Sequence, residues 1–148
     1  MRITTKKLKI QLQALLRKIV ILRDGECVTC PLWREILPNG WNSNSDILQA
    51  GHYYARGAKS IKYDLRNVHL QCKTCNGRHR FQQEAFTLYL LRKFGQKWLD
   101  KLTMDKYTPA PQIENLGSLL TIKEDLEKTY NSWVLPEDHI LKEMEINE

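Results

Sequence analysis

Leu8, Leu12, Leu15, Leu16, Ile19 and Leu22 recur at three- and four-residue steps. That spacing lays them on one stripe of a helix over 5–23. Lys6, Lys7, Lys9, Arg17 and Lys18 fall mostly off the stripe, and Gly25 in "RDGEC" is the expected cap. "PLWREILPNGWNSNSD" interrupts the period with Pro, Gly, Asn and Ser and reads as a loop with turns; Trp33 and Trp41 in it are expected to plug the local core. "ILQAGHYYA" reads as a strand in which Gly51 marks a bulge or a close backbone approach. "RGAKSIKYDLR" is a polar, basic connection, and "NVHLQC" is a second short strand. A helix is expected to open at Asn76 and to run through "FQQEAFTLYLLRKFG" to Gly95. Two more helices follow, "QKWLDKLTMDKY" and "ENLGSLLTIKEDLEKTYNSWV", and then an acidic end, "LPEDHILKEMEINE", expected to fray. Leu88, Leu91, Phe94, Trp98 and Leu102 form a stripe suited either to the core or to a homodimer face.

These elements define an α+β chain, mainly helical, with a small domain over 1–108 and a helical extension over 109–148. At 148 residues the chain can bury a core of ordinary size. No apolar run approaches the roughly 18 residues a membrane span needs, and the basic start lacks the pattern of a signal peptide. The expectation is a cytoplasmic protein with no membrane partner.

The net charge of +6 is unevenly spread. Residues 1–110 carry 20 Lys or Arg against 8 Asp or Glu, whereas residues 111–148 carry 3 against 9. A basic body with an acidic tail suits a polyanionic partner, most simply nucleic acid, although solvated basic surfaces are also common.

All four cysteines fall in two C-x-x-C pairs, Cys27 with Cys30 and Cys72 with Cys75. In a cytosolic chain, two matched pairs point to a structural zinc rather than to disulfides, since each pair can grip one tetrahedral ion from a tight knuckle. The 41 residues between the knuckles exceed the roughly 15–20 of a zinc ribbon, so the ribbon houses something more.

What it houses is a strand histidine (His52), an asparagine before the second strand (Asn67) and an asparagine directly after the second knuckle (Asn76). This arrangement resembles the beta-beta-alpha metal core of HNH nucleases. The frame C-x-x-C, strand histidine, C-x-x-C-N is also similar to that of the phage Holliday-junction resolvase endonuclease VII. Four blocks in order, "LRDGECVTC", "LQAGHYYARG", "RNVHLQCKTCN" and "LYLLRKFG", resemble the phage recombination-nuclease family called NinG or Rap over residues 15–100.

The resemblance implies an HNH-type core over 1–108, stapled by a Cys27, Cys30, Cys72, Cys75 zinc. It implies an endonuclease acting with a divalent ion, magnesium or alternatively manganese, on branched DNA such as Holliday junctions and D-loops. A phage origin would set the protein in the cytoplasm of a bacterial host. His52 is expected as the base that activates water, since a neutral imidazole serves near physiological pH. Asn76 is expected to hold the divalent ion through its amide oxygen, and Asn67 to orient His52 or fix its loop. His79, three residues after Asn76, is a further candidate for metal or DNA, whereas His69 inside the second strand is expected to be structural. Arg56, Lys59, Lys62, Arg66, Arg78 and Arg80 are candidates for phosphate contacts, which bind backbone rather than read bases.

Two departures stand out. Gly51 occupies the position where many HNH enzymes carry a metal-binding aspartate, which leaves Gln49 or His79 as alternative ligands. The Ser-Gly-Asn often seen after the second knuckle in the family is absent. Competing readings are another HNH nuclease that nicks, restricts or packages DNA, a zinc-knuckle DNA-binding module without turnover, and a structural interaction protein. A resolvase must cut twice, which makes a homodimer attractive.

Overall fold

The N-terminal stripe closes into α1, Thr5–Asp24. Thr4 caps its start, its hydroxyl oxygen accepting from the Lys7 N–H at 3.2 Å. Gly25 ends it in a left-handed turn at φ 77°, a conformation that favours a residue without Cβ, and donates its N–H to the Ile21 carbonyl at 3.0 Å. Leu8, Leu12, Leu16 and Ile19 are fully buried as the period requires, but Val20 takes an inner place and Leu22 stays half exposed. The computed structural model describes residues 2–43, 45–55, 57–109 and 115–146, with side chains as far as Val134.

The segment expected to be a loop begins with a helix, α2, Cys30–Ile36. Pro31 was the misleading signal, because in a first turn its missing N–H costs nothing. Leu32 and Trp33 are buried by this helix. Trp33 stacks on the half-buried Trp41 with ring centroids 5.6 Å apart, and both pack beside the cysteines as local plugs.

Strand β1, Leu48–His52, pairs antiparallel with β2, Val68–Cys72, so that Gly51 faces His69 and His52 faces Val68. Two strands alone are marginal in water. Here α1 packs on both strands, and the helix that follows β2 packs on them as well. The connection between the strands holds a short 3-10 turn, Lys59–Ile61, and is less polar inside than its composition suggests, since Ile61 and Tyr63 are buried.

The single helix expected from Asn76 to Gly95 is two helices. Helix α3, Lys73–His79, starts one residue after β2, capped by the Cys72 sulfur accepting from the Cys75 N–H at 3.4 Å. Asn76 therefore lies inside α3 and does not open it. The chain then turns through Arg80–Gln83, where the Phe81 and Gln82 N–H groups both bond the Arg78 carbonyl, before α4, Glu84–Phe94.

Helix α5, Gln96–Lys106, places Leu99 and Leu102 against Ile61, Phe86 and Leu90 in a second core. Of the stripe with two candidate destinations, Leu102 is thus interior, while Phe94 remains 39% exposed and stacks on Trp98 at 4.2 Å. Helix α6, Leu116–Ile146, runs through the acidic stretch expected to fray. Its Leu119 and Leu126 share the core of α1, Val68 and Leu70, so this helix packs back on α1 and the sheet. The result is a mainly helical fold around a two-stranded sheet. Among the described residues no helix is long and apolar enough to cross a membrane.

Candidate functional site

The two knuckles converge. The sulfurs of Cys27, Cys30, Cys72 and Cys75 all lie within 4.8 Å of one another, with Cys30 to Cys75 at 3.5 Å and Cys30 to Cys72 at 3.7 Å. A disulfide needs about 2 Å, whereas a tetrahedron of sulfurs around zinc has edges of about 3.8 Å. Their proton affinities diverge accordingly. A hydrogen bond from Cys75 draws the Cys27 thiol down to about 4. Burial pushes Cys30 up to about 11, and the hydrogen bond to Cys27, followed by burial, pushes Cys75 up too. Four sulfurs this close cannot all ionise side by side; a dication among them removes the conflict. The set fits a structural zinc.

Hydroxyls back this cluster. Ser43 Oγ lies 3.2 Å from Cys72 Sγ. Thr29, fully buried, accepts from the Gln71 amide N–H at 3.0 Å, which directs its own O–H to Cys27 Sγ at 3.6 Å. Gln71 then closes on β1. A Cβ placed on Gly51 would sit 2.1 Å from the Gln71 side-chain oxygen. The close approach at Gly51 is thus made by a side chain rather than by backbone, and a larger residue there would have to push Gln71 aside.

Beside the cysteine cluster is a pocket of about 280 Å³ whose walls include His52, Asn76, His79 and Arg80. His52, only 8% exposed at the end of β1, donates from Nε2 to the Lys62 carbonyl at 2.9 Å. Asn76 donates its amide N–H to Gln49 Oε1 at 2.9 Å, leaving its amide oxygen to accept. His79 donates from Nε2 to the Tyr53 carbonyl at 2.7 Å, and burial lowers its pKa against that bond, so the ring is neutral. Its Nδ1 is buried without a hydrogen-bond partner among the described residues. A neutral imidazole pinned by a backbone carbonyl, with its second nitrogen bare, is the form in which histidine binds metal. Asn76 and His79, one helical turn apart on α3, offer an amide oxygen and an imidazole nitrogen, atoms of the kinds a divalent ion binds.

Asn67 does not bond His52. It is fully buried and staples the connecting loop, accepting from the Tyr54 N–H at 2.8 Å and donating to the Tyr54 and Ile61 carbonyls at 3.0 and 3.4 Å. That loop carries the Lys62 carbonyl on which His52 rests, so of the two roles expected for Asn67 the geometry fits fixing the loop.

The basic candidates separate. Arg80 is exposed at the pocket rim. Lys59 is exposed on the 3-10 turn, and the Lys62 ammonium lies 5.4 Å from the Tyr63 ring. Arg78 stacks over Trp33 at 4.5 Å and bonds Gln82, which buries much of it. Arg66 is held between Asp64 at 2.6 Å and Asp105 at 2.8 Å, so its charge is already balanced and its candidacy for phosphate falls. Arg56 lies outside the described residues.

His69 is structural as expected. Only 1% exposed, it takes an Arg23 N–H on Nδ1 at 3.0 Å and donates from Nε2 to the Arg66 carbonyl at 2.8 Å. Burial and then Arg23 push its pKa down to about 4. Gln71, Thr29 and the Arg23–Asp24 pair carry no sequence signal of their importance, since each acts on partners more than 40 positions away.

Against known proteins, no curated protein and no solved structure matches the chain. A family model does, that of the bacteriophage Lambda NinG protein, and it matches residues 4–132, which span both knuckles, both strands and the pocket. The resemblance carried by the four sequence blocks therefore holds over most of the molecule, and the chain belongs to the bacteriophage lambda NinG family.

Proposed function

We propose that the protein is a metal-dependent endonuclease that hydrolyses phosphodiester bonds in branched DNA during phage recombination, in the cytoplasm of a bacterial host. One observation carries this reading: His52, Asn76 and His79 line a single pocket, and the Nδ1 of His79 has no hydrogen-bond partner among the described residues. Two antiparallel strands followed directly by a helix support an HNH-type core, because they bring a strand base and helix ligands together.

His52 is the general base. The Lys62 carbonyl holds its Nε2–H, and its Nδ1 removes a proton from the attacking water. Asn76 and His79 would hold the divalent ion, with oxygen ligands of the kind such ions prefer from water and the substrate. When bound, the ion supplies charge neutralisation for the crowded phosphate and the departing 3′ oxygen. Arg80 at the rim holds a flanking phosphate, and Asn67 keeps the loop beneath His52 in place. Magnesium is the ion first expected, and a nitrogen ligand from His79 would suit manganese at least as well. The zinc is structural, a second and separate metal.

Incubating the protein with matched four-way-junction, flap and linear DNA in magnesium or manganese tests the reading. Cleavage of junction and flap in preference to the linear duplex is expected. Equal cutting of all three would leave a nuclease of another HNH type, and tight binding without cutting would leave a zinc-knuckle DNA-binding module.

A further inference from the structure

Phe81 is 84% exposed, the most exposed large apolar side chain among the described residues. It is not on a loose loop. Its turn is tied by the Phe81 and Gln82 N–H groups on the Arg78 carbonyl at 3.0 and 2.9 Å, and by the Arg78 side chain on Gln82. Arg78 is itself clamped on Trp33 and Trp41 beside the cysteine cluster. The fold therefore holds an aromatic ring out into water from a braced support, at the cost of leaving its surface wet.

Two neighbours indicate what covers it. On one side Arg80 and Gln83, which flank Phe81 in the turn, line the His52 pocket, and the Arg80 guanidinium lies 5.9 Å from the Phe81 ring. On the other side Phe81 and Gln83 border an open groove of about 650 Å³ walled by Ile36, Leu88 and Leu91, with Thr87 and the Glu84 carboxylate also in its lining. An exposed aromatic face with a cation on its pocket side is complementary to a nucleotide: anionic phosphate on Arg80, planar base against Phe81. Bases inside an intact duplex are stacked on one another and do not offer a face. Bases at an opened branch point, a flap or a gap do.

We propose that Phe81 is the stacking platform for an unstacked base next to the cleaved bond, and that this ring, rather than any base-reading side chain, selects branched over linear DNA. The inference rests on the nuclease reading, whose site it extends by one nucleotide. Because every base has a π-face, the selection is for DNA shape and not for sequence.

The test uses the full chain carrying His52→Ala, so that binding is read without turnover, with junction, flap and linear DNA of one sequence and 2-aminopurine at the branch. Phe81→Ala is expected to weaken junction and flap binding about tenfold and to abolish the fluorescence change at the branch, with less than about a twofold effect on linear duplex. Phe81→Trp is expected to keep both signals, and Phe81→Leu to lose the fluorescence change. Equal weakening on all three DNAs, no weakening, or full rescue by Leu would overturn the platform; the last would mark the groove as a generic apolar contact or a protein-docking site. The nuclease reading is scored separately, by cleavage with the unmodified chain. Base stacking without cleavage would retain the platform and remove the enzyme.

Discussion

Gln71 reaches so far under Gly51 that a Cβ on residue 51 would lie 2.1 Å from its Oε1. The contact ties β1, which carries His52, to Thr29 and through it to Cys27, so the zinc frame and the pocket strand are one packed unit. Gly51→Ala must displace Gln71 from Thr29 and is expected to cost about 1–3 kcal/mol, the usual range for overpacking a core. Gly51→Asp is expected to cost more and to bring no gain in divalent-ion affinity. Adding Gln71→Ala should relieve most of the Gly51→Ala loss, and a double-mutant cycle by denaturant unfolding measures that coupling. Additive losses would mean that the two residues do not meet.

The Thr29 hydroxyl lies 3.6 Å from the Cys27 sulfur and would help orient it toward a bound zinc. Thr29→Val keeps the volume, leaves the Gln71 amide without its acceptor and is expected to weaken zinc binding by about 10–100-fold. Competition with a chromophoric chelator reads the affinity directly. Cys72→Ser removes a ligand and should leave a chain that neither retains one zinc per molecule nor folds cooperatively.

Arg66 and Arg80 make opposite predictions. Arg66→Ala leaves Asp64 and Asp105 facing each other without their shared cation, so it should lower thermal stability and leave the salt dependence of DNA binding unaltered. Arg80→Ala should leave stability unaltered and reduce the slope of log affinity against log salt by about one phosphate contact. Titrations at several salt concentrations beside melting curves separate the two.

His69 gives the fold an acid-sensitive element. Its folded pKa, about 4, lies below the ordinary 6.5, so the unfolded chain binds the extra proton in between. Its contribution is complete above pH 6.5 and is lost as pH falls toward 4. Asp24 acts in the same direction at the acid end: burial raises its pKa, but Arg23 and the Leu70 N–H bring it below the ordinary value. Unfolding free energy measured in urea at stepped pH should therefore decline below about 6.5, and His69→Gln should flatten the upper part of that decline.

Much of the fold was readable because it follows a period. The α1 stripe, the two strands and the closing glycines at 25 and 95 carry their structure in spacing alone, and the knuckles carry theirs in chemistry. Helix α2 was hidden because Pro31 punctuates most segments and is harmless only in a first turn. The start of α3 was misjudged because Asn76 is a good cap residue, while the real cap is the Cys72 sulfur, set by the need to turn Cys75 back toward the cluster. The candidate site was legible as a set of residue types. Its geometry was not: Asn67 and Asn76 look alike in sequence, yet one staples a loop and the other lines the pocket. Nor could spacing reveal that Arg66 would be neutralised by Asp105, 39 positions away, while Arg80 stays exposed.

The most direct measurement is cleavage of a four-way junction in magnesium by the unmodified chain, His52→Ala, Asn76→Ala and His79→Ala, with zinc content determined for each. A nuclease centre in this pocket predicts cutting by the unmodified chain, loss of at least about a hundredfold in the His52 variant, and losses in the Asn76 and His79 variants that excess manganese partly restores. Zinc should remain at one per chain throughout. Undiminished cutting by His52→Ala with zinc in place would contradict the assignment and move the chemistry elsewhere in the molecule.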